Sequence, residues 1–127
     1  PHLPVRDGSM AAALITDILA KTRHPLSKLL SALPSYQLCK EKVPCPNALK
    51  KHVLAGLRER TSESNPETID GVKVMFDDGR SVLLRPSGTE PIFRVMAEGR
   101  TASAAKDMVD QYKAMIAEII REKTRDA

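Results

Sequence analysis

A chain of 127 residues with a formal net charge of +4 is long enough for one modest core and too short for two complete domains. Its 42% hydrophobic and 28% charged residues exclude a disordered or fibrous chain. No apolar run approaches the ~20 residues that a membrane-spanning helix needs. The start, Pro1-His2-Leu3-Pro4-Val5-Arg6-Asp7, has neither an initiator Met nor a charged-then-apolar leader pattern, and reads as the cut edge of something longer.

Taken in chain order, Ser9 is placed to cap a helix running to about Thr22, with Met10, Ala13, Leu14 and Ile18 near i, i+3, i+4 spacing. His24-Pro25 interrupts it, Leu26 to Leu30 give a short helical turn, and Pro34 closes that segment. From Tyr36 to Val43 an imperfect alternation sets Tyr36, Leu38 and Lys40 against Gln37, Cys39, Glu41 and Val43, which predicts a strand. Pro44-Cys45-Pro46-Asn47 forms a turn, after which Leu49, Val53, Leu54 and Leu57 make the stripe of a second helix that fades by Ser62. A polar connector follows from Thr61 to Pro66. The period then changes to that of strands. Val72, Val74 and Phe76 alternate with Lys73, Met75 and Asp77; Asp78-Gly79 marks a hairpin; Ser81 to Arg85 return; Pro91 to Glu98 make a further strand. Thr101 caps a last helix whose apolar face runs from Ala105 through Met108, Tyr112 and Ile116 to Ile120. The expected fold is therefore α+β, a four-stranded, mostly antiparallel sheet with two helices on one face, preceded by an extra N-terminal helix.

The charge is uneven. Residues 21–60 hold nine Lys and Arg against two acids, a balance of +7 that leaves −3 for the rest. Such a stretch can meet polyanions, and it supports one reading of the chain as a stand-alone anion- or nucleic-acid-binding module. An aromatic content of 3% with no Trp offers no base-stacking platform, so nucleic acid is the less favoured partner and a solvated basic face the plainer reading. Cys39 and Cys45 match neither a zinc nor a redox spacing and read as reduced, structural thiols. His2, His24 and His52 are scattered, without metal-ligand spacing.

The segment richest in chemistry is Arg85-Pro86-Ser87-Gly88-Thr89-Glu90-Pro91 between two strands, with Arg94 just beyond. It reads as an anion cradle: Arg85 offers a two-pronged guanidinium, Ser87 and Thr89 offer hydroxyls, and Gly88 lets a ligand approach the main chain. Pro86 and Pro91 stiffen both sides. The same residues also read as a polar turn in which Arg85 and Glu90 form a surface ion pair. In the cradle reading Glu90 has to turn outward or bind an Arg, since its charge repels phosphate. Ser87 has no recognisable base and is not read as a nucleophile.

Residues Arg85 to Pro91, with Ile92-Phe93-Arg94-Val95 and Glu98, resemble the phosphate-binding loop in the last domain of the α-D-phosphohexomutases. Asp70-Gly71-Val72-Lys73-Val74 through Asp78-Gly79 resembles the hairpin leading into that loop, and Arg6 to Ala12 resembles the last helix of the family's third domain. Lys42-Val43-Pro44-Cys45-Pro46 is more similar to archaeal-type phosphoglucosamine or phosphomannomutases than to bacterial ones. The resemblance implies that residues 1–33 are the terminal helical segment of the preceding domain with a linker, and residues 34–127 the C-terminal phosphate-binding domain. It implies that Arg85, Ser87, Gly88 and Thr89 contact phosphate, with Arg94 as an additional contact. It also implies a cytoplasmic isomerase of carbohydrate metabolism that passes phosphate between an active-site phosphoserine and a hexose monophosphate. The family's phosphoserine loop, its DGDxDR-type magnesium loop and its GExSGH-like sugar-selecting loop do not occur here. By resemblance, then, this chain alone has no catalytic residues and binds no Mg2+, which belongs to the full-length enzyme. Its partners are a hexose phosphate and the upstream domains of the same chain, with no membrane.

Overall fold

The computed structural model describes residues 5–125. They fall into two compact units, Pro1–Ser35 and Tyr36–Ala127.

The first unit holds α1 (Gly8–Thr22) and α2 (Leu26–Ser31). The cap of α1 is Asp7 rather than Ser9: the Asp7 carboxylate accepts from the Met10 N–H at 2.9 Å, and Ser9 lies inside the helix. Both residue types cap well, and Asp7 takes the position because its backbone is extended while Gly8 already turns helical. Arg23, left-handed at φ 55, ends the helix ahead of Pro25. No side chain of α1 is buried; Leu14 is 55% and Ile18 48% exposed. A helix of 15 residues without a packed face is marginal, because nucleation is costly and packing supplies most helical stability. Hydrogen exchange is therefore expected to show residues 9–22 poorly protected beside a protected C-terminal helix; slow exchange at Leu14 and Ile18 in a confirmed monomer would overturn this.

The second unit runs β1 (Gln37–Pro44), a 3-10 turn (Asn47–Leu49), α3 (Lys50–Arg60), a 3-10 turn (Ser62–Ser64), β2 (Val72–Met75), β3 (Ser81–Pro86), β4 (Ile92–Gly99) and α4 (Ala102–Arg125). The strands lie in the order β1-β4-β3-β2, each pair antiparallel. This is the α+β arrangement expected from the periodicity. Along β4, Phe93, Val95 and Ala97 are buried while Arg94 and Glu98 are exposed, so one sheet face joins the core with Val53 and Leu57 of α3 and Met108, Tyr112, Ile116 and Ile119 of α4. Arg60 fastens the two helices, its guanidinium donating to Glu118 at 2.6 Å and Glu122 at 2.7 Å.

β1 is the strand expected from the imperfect alternation, and it turns Cys39 and Val43 inward. Val43 is buried and Cys39 half-buried, while Leu38 is exposed. The register decides this, since Val43 lies opposite Phe93 and Cys39 opposite Ala97, both on the core side of β4. The same parity puts Lys40 and Lys42 on the open face of the sheet, away from the helices.

Candidate anion-binding site

Antiparallel pairing of β3 with β4 leaves residues 87–91 as the connecting loop, and it is closed by short internal bonds. The Ser87 N–H donates to the Ile92 carbonyl at 2.9 Å, the Ile92 N–H to the Glu90 carbonyl at 2.8 Å, and the Glu90 N–H to Ser87 Oγ at 3.2 Å. Ser87 is only 5% exposed, so its oxygen shapes the loop. Gly88 and Thr89 stand at the exposed tip, and among the described residues neither of their N–H groups has a protein partner.

Gly88 is not required by the backbone. Its φ is not positive, and a Cβ there would meet nothing within 4 Å. The space beside it is open.

The sheet register assembles the cations. Lys42 of β1 lies opposite Arg94 of β4, and Arg94 lies opposite Arg85 of β3, so three positive side chains form one row across three neighbouring strands on the open face, at the lip of the loop. Like charges directly opposite one another destabilise a sheet unless counter-charge is supplied. Two carboxylates answer three cations: Glu90 accepts from Lys42 at 3.0 Å and from Arg94 at 3.1 Å, while Asp70 lies 3.1 Å from Arg85 Nε. A concavity of about 570 Å³ lined by Lys40, Glu41, Lys42, Arg94 and Met96 opens beside this row.

Glu90 thus takes the role of an acid that binds an Arg, and the ion pair expected for a plain turn, Arg85 with Glu90, is replaced by Arg85 with Asp70. Hydrogen bonds from Lys42 and then Arg94 hold the Glu90 carboxyl below the usual carboxylate range. A depressed carboxyl contributes above its unfolded value and loses its contribution as pH falls through the folded one. The Lys42–Glu90–Arg94 link is therefore intact at neutral pH.

Three participants escaped the sequence reading. Asp70 figured as part of a hairpin, and Lys42 within a basic stretch and the archaeal-type segment that follows it, neither with a tie to this loop. Lys50, half-buried at the start of α3, donates through Nζ to the carbonyls of Ser87 at 2.5 Å and Glu90 at 2.6 Å. No local signal marks any of them. The basic segment 21–60 does not act as one face: it is divided between the two units, Lys21 pairs with Asp17, Arg60 with the acids of α4, and Lys50 with the loop.

Among the described residues no group of three or more His, Cys, Asp or Glu is placed to hold a metal ion, and His2 lies outside them. Cys39 and Cys45 are free, the latter buried. Among the described residues no helix is long and apolar enough to cross a membrane.

The family model described as the phosphoglucomutase/phosphomannomutase C-terminal domain matches residues 41–123. The chain is 37% identical over 118 residues to a probable phosphoglucosamine mutase of Methanopyrus kandleri, and 40% identical over 119 residues to one of Methanothermobacter thermautotrophicus. It is 38% identical over 119 residues to the phosphoglucosamine/phosphogalactosamine mutase of Sulfurisphaera tokodaii. These alignments cover 91%, 90% and 91% of this chain but only 26% of each relative, so the chain spans about a quarter of the length of the curated relatives it matches. The loop between β3 and β4 and the row of cations at its lip thus lie within the matched residues, and the chain belongs to the phosphoglucomutase/phosphomannomutase family as its C-terminal domain.

Proposed function

We propose that this chain anchors the non-reacting phosphate of a hexose phosphate in a phosphohexomutase, and that it is not catalytic alone. The observation that carries this reading is the row Lys42, Arg94 and Arg85 beside a loop tip with two unpartnered N–H groups: three cations, two carboxylates, and room for a further anion. In this reading Arg85 grips the phosphate with two parallel donors, and Gly88 and Thr89 supply main-chain and hydroxyl donors. The Ser87 hydroxyl supports the loop and has its proton left to donate, while Arg94 adds charge. Recognition that uses only the phosphate is indifferent to which end of the sugar carries it. An anchor of this kind can hold the phosphate of a hexose monophosphate while a sugar hydroxyl takes the phosphoryl group from a phosphoserine, and, once the resulting bisphosphate has turned over, hold the new phosphate while the original one returns to the free serine. Orientation of this sort lowers a barrier because freedom is lost on binding rather than in the transition state.

The phosphoserine, the Mg2+ and the choice of sugar fall, in this proposal, to residues outside this chain, since the loops that the family uses for them do not occur in its sequence. The names of the relatives favour a hexosamine phosphate as substrate. Residues 1–33 then belong to the preceding domain and its linker and residues 34–127 to the anchor, in a cytoplasmic setting that suits two free thiols. The alternative of a module binding nucleic acid through residues 21–60 is not favoured, because Lys50 is taken up by the loop carbonyls and Arg60 by the acids of α4.

Titration of the chain with inorganic phosphate, followed by amide shifts, tests the assignment. Residues 85–89 are expected to move with a millimolar Kd, about −4 kcal/mol, because one loop makes only part of the contacts of a complete cleft. The shifts should fade with added salt. Shifts confined to residues 21–60 would overturn the proposal in favour of a general polyanion surface.

A further inference from the structure

We infer that Lys50 is a positioning residue for phosphate: by clamping two loop carbonyls from beneath, it aims the Gly88 N–H outward at the ligand. The inference rests on the anion-site reading above. Lys50 opens α3 and is 37 residues from Ser87 and 40 from Glu90 in sequence, yet its ammonium bonds both carbonyls.

The consequence comes from peptide geometry. In a planar trans peptide the C=O and the following N–H point in opposite directions, and no peptide bond in the described residues is cis. Drawing the Ser87 carbonyl onto Lys50 therefore turns the Gly88 N–H away from Lys50, towards the open side where a Cβ on Gly88 would meet nothing. The Glu90 carbonyl precedes Pro91, which has no N–H, so holding it fixes the far end of the loop without hiding a donor. A third tie runs from the same side: the Cys45 N–H donates to the Pro91 carbonyl at 2.8 Å. The turn between β1 and α3 is thus the floor of the loop.

The ammonium also brings a positive charge under the two free N–H groups. Cys45 does not cancel it, because burial pushes that thiol up, against the pull of Lys50. Lys51, its exposed neighbour on α3, carries the same charge without bonding the loop, and makes a charge-matched comparison.

The test compares phosphate affinity and thermal unfolding of the 127-residue chain with those of Lys50→Met and Lys51→Met. Lys50→Met is expected to raise the phosphate Kd about tenfold, the scale of hydrogen bonds to a charged group, and to move the Gly88 and Thr89 amide signals before any phosphate is added. Lys51→Met should leave the Kd within about twofold, as a solvated charge contributes little. A purely stabilising role would lower the unfolding temperature and leave the Kd of the folded chain unchanged; that result would overturn the inference while sparing the anion site. Absence of shifts at residues 85–89 in the unsubstituted chain would overturn the site reading and this inference with it. Should Lys50→Met not fold, Lys50→Gln carries the same comparison, since its amide can still hold one carbonyl without the charge.

Discussion

Arg85→Lys is expected to weaken phosphate binding by this chain about tenfold or more while leaving its unfolding temperature nearly unchanged. The ammonium keeps the charge but loses the planar fork that meets two phosphate oxygens at once. Stability is spared because the ion pair that Arg85 makes in the absence of ligand is solvated: the Arg85 and Asp70 side chains are 49% and 66% exposed, and pairs of that kind contribute little. The same weakness explains how Asp70 can hold Arg85 in place and still yield it to a phosphate. Asp70→Asn should accordingly tighten phosphate binding by about two- to fivefold, since a competing carboxylate is removed from the guanidinium. Titration of the three proteins by amide shifts measures both effects. An unchanged Kd in Arg85→Lys together with a large loss in Arg94→Lys would transfer the leading role to Arg94. In a complete enzyme carrying this domain, Arg85→Lys should reduce kcat/KM in the same proportion.

Gly71→Ala should cost about 3 kcal/mol or more, from a backbone conformation that side chains rarely adopt and a clash with main-chain atoms. Gly71 has φ +106, and a Cβ there would lie 2.3 Å from the Leu84 carbonyl oxygen and 3.2 Å from the Arg85 Cα. Neither neighbour is the movable end of a side chain. Relief would require β2 and β3 to part where Val72 faces Leu84, both fully buried, next to Arg85. The unfolding temperature is expected to drop by more than about 10 °C for a unit of this size, and phosphate binding to weaken with the displaced Arg85. Gly88→Ala is the informative contrast. Its Cβ meets nothing, so stability should hold, while the added methyl obstructs the anion's approach to the loop. Equal unfolding temperatures for Gly71→Ala and the unsubstituted chain would refute the steric account.

The elements that the sequence made legible are those whose causes lie within a few residues. The alternation Val72, Val74 predicts β2, Asp78-Gly79 predicts the hairpin in which Gly79 takes φ +84, and Thr101 caps α4 by accepting from the Ala104 N–H at 3.1 Å. The heptad from Arg85 to Pro91 was readable as a loop between two strands for the same reason, since the prolines and small polar residues that shape it are neighbours in the chain. Caps and faces were less secure where two local solutions compete. Asp7 and Ser9 can both start α1, and only the backbone geometry selects Asp7.

What the tertiary structure alone decided is which charged groups meet. Lys42 reaches Glu90 from 48 residues away, and Lys50 reaches the Ser87 carbonyl from 37, distances in sequence that carry no periodic signal. The row Lys42, Arg94 and Arg85 exists because burying Val43, Phe93 and Leu84 on the other face sets the register of three strands. Hydrophobic patterning therefore determined the fold class by itself, through contacts each strand or helix makes with its own face. The site depended on alignment between strands, which follows from how the whole core packs.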